Sequence, residues 1–148
     1  MTGKPEPKIS WEEALAAKSK GAKKKRGEPE LENVQIPFFQ WKERNLHLEP
    51  RLKWLHASLN GVFLHPATLN KVIAQGLVKG IWDACLPYPS KGKCALYLEA
   101  KWGRNKLSDN QEAFKRDNEE YYEWAVCYSW EEMANAVCDY LGREDLKV

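Results

Sequence analysis

Asp83 is the one charged residue in the apolar segment Gly80-Ile-Trp-Asp-Ala-Cys-Leu86, and Glu99 and Lys101 stand two apart in a second one, Cys94-Ala-Leu-Tyr-Leu-Glu-Ala-Lys-Trp102. Both segments read as strands, the first ended by Pro87 and Pro89, the second by Gly103. Side chains alternate along a strand, so Glu99 and Lys101 share a face, roughly 6–7 Å apart along the chain. Leu96, Leu98 and Ala100 then fill the opposite face and suit a core. Gly92, in the link Ser90–Lys93, suits a hairpin, which would bring Asp83 near Glu99. Two carboxylates crowded together repel unless a cation fills the space between them. Hard oxygen ligands on a rigid strand suit Mg²⁺ or Mn²⁺. Such an ion polarises a phosphoryl oxygen and lowers the pKa of bound water. Lys101 would orient that water or hold charge developing on the phosphoryl oxygens. Those roles together describe phosphodiester hydrolysis. A plainer reading fits the same residues: Glu99 and Lys101 as a surface ion pair, and Asp83 as a turn residue.

The elements that must position these residues follow from periodicity. Leu31, Val34, Phe38 and Trp41 recur on one helical face. Pro37 lies inside that pattern and would either kink the helix or mark a first turn near Asn33. Residues 46–56 read as a polar connection with some helical character, broken at Pro50. Asn60-Gly61 signals a turn before the short apolar run Val62-Phe63-Leu64. A helix is expected over Thr68–Gln75, ending at Gly76. Ser108-x-x-Gln111 is a capping box that opens a helix to about Glu120. Tyr122–Tyr128 is a third main strand, and Ser129-Trp-Glu-Glu132 caps a last helix to Leu141, with Gly142 past its end. The order predicts an α/β fold, a mixed central sheet flanked by helices.

The chain has 148 residues, with 43% hydrophobic and 30% charged. A chain of that size buries about 68–70% of its unfolded surface and needs no disulfide or structural metal to fold. The net charge is only +2, but residues 1–29 carry eight basic and four acidic residues, leaving residues 30–148 slightly acidic. Residues 1–29 therefore read as a basic, mostly flexible arm. Its one short helix is opened by a capping box at Ser10–Glu13, and six positive charges follow between Lys18 and Arg26. Such an arm can contact phosphates, address the chain to a nucleus, or only solubilise it. No apolar stretch reaches the length of a membrane span and no secretory h-region is visible, so a cytoplasmic protein is expected. Cys85, Cys94, Cys127 and Cys138 lie in apolar runs without zinc-ligand spacing and read as buried, reduced thiols.

From Glu32 to Leu141 the sequence resembles the VRR-NUC domain of the PD-(D/E)xK nuclease superfamily. The resemblance rests on Glu32, Gln35 and Trp41 in the first helix, on Leu59-Asn60-Gly61, and on Gly76-Leu-Val-Lys-Gly80-Ile-Trp-Asp83. It continues through Tyr97-Leu-Glu-Ala-Lys101, Ser108-x-x-Gln111 and Ala125-Val-Cys-Tyr-Ser-Trp-Glu-Glu132. Trp82 departs from the motif, which has Pro there. The resemblance implies a restriction-endonuclease-like core over residues 30–148. It also implies that Asp83 and Glu99 bind Mg²⁺ or Mn²⁺, with the Ala100 carbonyl as a further ligand. Lys101 would be the catalytic lysine, and Gln111 and Glu32 would line the site. Gln111 could equally close its capping box, and Glu32 could serve as a helix-start acid.

The function so implied is a divalent-metal-dependent, structure-selective DNA endonuclease acting on branched DNA such as Holliday junctions. Small stand-alone members of the family occur in bacteria and phages, and a homodimer is expected, since a two-fold pair of sites suits paired cuts. Expected DNA contacts are Lys23, Lys24, Lys25 and Arg26 in the arm, Arg104 and Lys106 after the E-x-K strand, and Lys115 and Arg116. A rival reading from another class is a non-catalytic nuclease-like module that binds DNA or protein.

Overall fold

The computed structural model describes residues 29–58 and 64–148. It is a mixed α/β structure built on a four-stranded open sheet in the order β1-β2-β3-β4. The strands are β1 (His56–Ala57), β2 (Ala84–Leu86), β3 (Ala95–Ala100) and β4 (Tyr122–Cys127). The first three are antiparallel to their neighbours, and β3 pairs parallel with β4. The helices are α1 (Ile36–Asn45), α2 (Pro66–Ala74), α3 (Asp109–Asp117) and α4 (Trp130–Leu141). Short 3₁₀ turns lie at Pro50–Trp54 and Glu144–Leu146.

One sheet face carries the aliphatic core. Leu96, Leu98 and Ala100 of β3 and Ala84 and Leu86 of β2 pack with Val34, Phe38 and Trp41, and with Met133, Ala134, Val137 and Cys138 of α4. Of the predicted stripe Leu31, Val34, Phe38 and Trp41, the last three are the buried side of the first helix and Leu31 is only partly buried. Pro37 is accommodated by a change of winding: Leu31–Gln35 forms a π-helical turn, in which the Ile36 N–H donates to the Leu31 carbonyl, and Pro37 follows in the first turn of α1. A proline ring collides with the carbonyl four residues back in an ordinary α turn, and the wider turn relieves that clash.

The opposite face is not solvated. Tyr97, Tyr122, Trp124 and Phe114 of α3 form an aromatic cluster with ring centroids 5.0–5.8 Å apart, and Trp82 joins it edge-on to Trp124 at 4.9 Å. β3 is thus buried on both sides.

Several expectations change in detail. The strand expected over Gly80–Leu86 shortens to Ala84–Leu86, because Gly80 turns the chain at φ +92° and Trp82 rotates into the aromatic cluster. Pro50 opens a 3₁₀ turn rather than breaking a helix, with Glu49 as its cap. Glu49 is buried, and Arg51 and Arg143 hold its carboxylate at 2.7–2.9 Å, which ties this turn to the end of α4. The two-residue β1 was not foreseen; a strand so short has no periodicity to read. Cys85, Cys127 and Cys138 are buried as expected, but Cys94 is exposed, one residue ahead of β3. The Asn60-Gly61 turn, the run at Val62-Phe63 and the whole of the arm through Glu28 fall outside the described residues. Among the described residues no helix is long and apolar enough to cross a membrane.

Candidate metal and phosphodiester site

The hairpin register sets the site. Ala84 pairs with Leu98, and one step further Asp83 comes opposite Glu99. Each carboxylate then accepts a backbone N–H from the other strand. The Asp83 N–H donates to Glu99 Oε2 at 3.1 Å, and the Ala100 N–H donates to Asp83 Oδ2 at 2.9 Å. Lys101 Nζ lies 2.9 Å from Glu99 Oε1. Helix α3 completes the group. Gln111 Nε2 donates to Glu99 Oε1 at 2.6 Å, while Gln111 Oε1 accepts from Lys101 Nζ at 3.0 Å and from the Ser108 N–H at 2.9 Å. Gln111 therefore closes its capping box and joins the site with the same amide.

The surface ion-pair reading of Glu99 and Lys101 does not hold, since Glu99 is only 2% exposed and Lys101 8%. Burial sets the electrostatics as well. Burial is the main cause that raises the Asp83 carboxyl, and the charge of Glu30 adds to it against the Ala100 N–H and Lys101. Burial and then the neighbouring charge of Asp83 push Glu99 up to about 7, although Lys101 pulls it down. One ammonium does not compensate two crowded carboxylates in a dry site.

Two features hold α3 against this centre. The Trp82 indole N–H donates to the Gln111 carbonyl at 3.1 Å, so the residue that departs from the motif anchors the helix start. Gly80 abuts Asn110 so closely that a Cβ there would lie 2.5 Å from the Asn110 carbonyl oxygen.

The structure thus brings Asp83, Glu99, Ala100, Lys101 and Gln111 together. Glu32 is exposed, and no hydrogen bond or ion pair among the described residues joins it to them. The acid of the first helix whose charge reaches Asp83 is Glu30, which the sequence reading passed over. Ordinary helical spacing explains this: Glu30 lies four residues before the buried Val34 and so on its face, whereas Glu32 lies two residues before it and on the opposite face. The spacing from Val34 was the available signal. Asn105 was also missed; its Nδ2 donates to Glu30 Oε1 at 2.7 Å.

Among the expected DNA contacts, Arg104 and Lys106 are exposed in the loop after Lys101. Lys115 and the exposed Arg116 lie at the far end of α3, where Arg116 approaches Asp117 at 3.5 Å. Lys23 to Arg26 lie outside the described residues. Among the described residues no group of three or more His, Cys, Asp and Glu side chains is arranged to hold a metal ion. An ion here would rest on the two carboxylates and a main-chain oxygen.

No protein-family model, no curated protein and no solved structure matches the chain.

Proposed function

We propose that the chain is a divalent-metal-dependent endonuclease of the PD-(D/E)xK kind that hydrolyses phosphodiester bonds in structured DNA. The observation that carries this reading is the convergence of Asp83, one residue before β2, and Glu99 of β3, with the Lys101 ammonium on Glu99. The donor set fits Mg²⁺ or Mn²⁺: both ligands are hard oxygens, and their raised affinity for protons marks uncompensated negative charge that a divalent cation would neutralise. Asp83 and Glu99 would hold the ion, with the Ala100 carbonyl as the expected third ligand. The ion would supply Lewis-acid polarisation of a phosphoryl oxygen and a lowered pKa for a bound water.

The remaining work falls to this chain's side chains. Gln111 fixes Lys101, because its carbonyl oxygen accepts from the ammonium while its amide holds Glu99. Lys101 is thereby placed to stabilise negative charge on a phosphoryl group next to the acid pair. Lys101 is buried against Glu99 and must give up part of that contact to reach a phosphate.

The test is incubation of the full chain with four-way, flapped and linear DNA over a range of Mg²⁺ and Mn²⁺ concentrations. Asp83→Ala, Glu99→Ala and Lys101→Ala are expected to lose cleavage by at least about a hundredfold, the scale of one electrostatic catalytic group, while still binding DNA. Full cleavage by purified Glu99→Ala protein rejects the assignment. Binding of DNA without cleavage under any condition, together with no heat of Mn²⁺ binding in a calorimeter, assigns the fold to a non-catalytic adaptor.

A further inference from the structure

Immediately after the buried Lys101 the chain exposes Trp102, whose surface is 43% accessible. Among the described residues its indole has no ring, cation or hydrogen-bond partner; only its backbone carbonyl is engaged, by the Asn105 N–H. The other tryptophan with a larger exposure, Trp54, is partly covered by Lys53, whose Nζ lies 5.1 Å from its ring centroid. Arg104 and Lys106 in the same loop are exposed and without a carboxylate partner among the described residues. Two cations without a carboxylate partner among the described residues and a half-exposed indole therefore sit within five residues, in the loop that follows Lys101.

This loop is ordered by its own contacts. Gly103 turns it at φ +61°. Asn105 closes the turn with its N–H, donates its side-chain amide to Glu30 at 2.7 Å, and accepts the Tyr128 hydroxyl on its carbonyl at 2.9 Å. The backbone that carries Trp102 is fixed in this way, so the loop itself loses little freedom when it binds.

We infer that Trp102 stacks on an unpaired nucleobase while Arg104 and Lys106 hold the adjoining phosphates, so that the substrate class is DNA with a splayed or unpaired nucleotide beside the scissile bond. This rests on the nuclease reading for the nature of the partner. Inside an intact duplex both faces of every base are already stacked, so only an unpaired base offers a free face to an indole. Stacking of this kind tolerates any base, whereas cations near phosphates give affinity without preference for structure.

The test is fluorescence anisotropy in Ca²⁺, where binding is read apart from cleavage. The labelled probes are a short blunt duplex and the same duplex bearing a short single-stranded flap. Wild type is expected to prefer the flapped probe several-fold. Trp102→Ala should lose about tenfold on the flapped probe and little on the blunt one, and Trp102→Phe should keep most of the preference. Arg104→Gln with Lys106→Gln should weaken both probes alike and lower the salt slope by about one to two. Unchanged affinity of Trp102→Ala for the flapped probe, equal loss on both probes, or binding to neither overturns the inference. Displacement of DNA by polyglutamate to the same extent from wild type and Trp102→Ala also overturns it, and points to an acidic protein partner. A Trp102-dependent preference without cleavage in Mg²⁺ would remove the nuclease reading alone; cleavage indifferent to Trp102→Ala would remove the platform alone.

Discussion

Glu99 concentrates the tension of the site in one carboxyl group. It is enclosed, faces Asp83 and is held by an ammonium and an amide on the same oxygen. Its ordinary value of 4.5 rises to about 7 in the folded chain. The folded state therefore binds a proton more tightly than the unfolded state. That stabilisation is complete below about 4.5 and is lost as pH rises through about 7. With a chelator present, the melting temperature should fall by several degrees as pH rises through this window. Glu99→Gln should flatten the profile, and Mg²⁺ should restore stability on its alkaline side. A wild-type profile that is level or rises across neutrality in chelator would contradict this account of the pair.

Among the elements, α3 depends on a contact that only glycine permits. Gly80 combines a positive φ with an approach to the Asn110 backbone that leaves no room for a Cβ. Gly80→Ala should cost at least about 1–3 kcal/mol of stability from the backbone conformation alone. Because the obstruction is main chain, α3 must also shift, carrying Gln111 off Glu99 and Lys101. Urea unfolding measures the first effect. On the proposed nuclease reading the second is a loss of Mg²⁺-dependent cleavage larger than that of Gln111→Ala, and activity equal to wild type would show that the helix start does not position the site. The elements were legible where local chemistry decides them. Ser108 with Gln111 and Ser129 with Glu132 mark the starts of α3 and α4, and Gly142 in the left-handed region ends α4. Glu132 differs from a simple capping box only in that its carboxylate takes the Tyr128 N–H. The alternation of β3 correctly separated Leu96, Leu98 and Ala100 from Glu99 and Lys101. Contacts made across the sequence were not legible. The two-arginine clamp on Glu49, the covering of the second sheet face and the contact of Glu30 with Asn105 each depend on residues far apart in the chain.

At the scale of the whole molecule, the two sides of the sheet are attached unequally. Helix α4 contributes six buried residues to the aliphatic core, whereas α3 contributes no fully buried residue and relies on Phe114, the Trp82 indole and its cap. Local opening follows the regions with least buried surface. Amide exchange over Asp109–Asp117 should accordingly run well ahead of exchange over Trp130–Leu141 under native conditions, and equal protection of the two helices would refute it. Rehydration of the acid pair therefore depends on the swing of a nine-residue segment, while the frame that sets their spacing stays intact. Opening of this helix would expose Glu99 and Lys101 at less cost than melting.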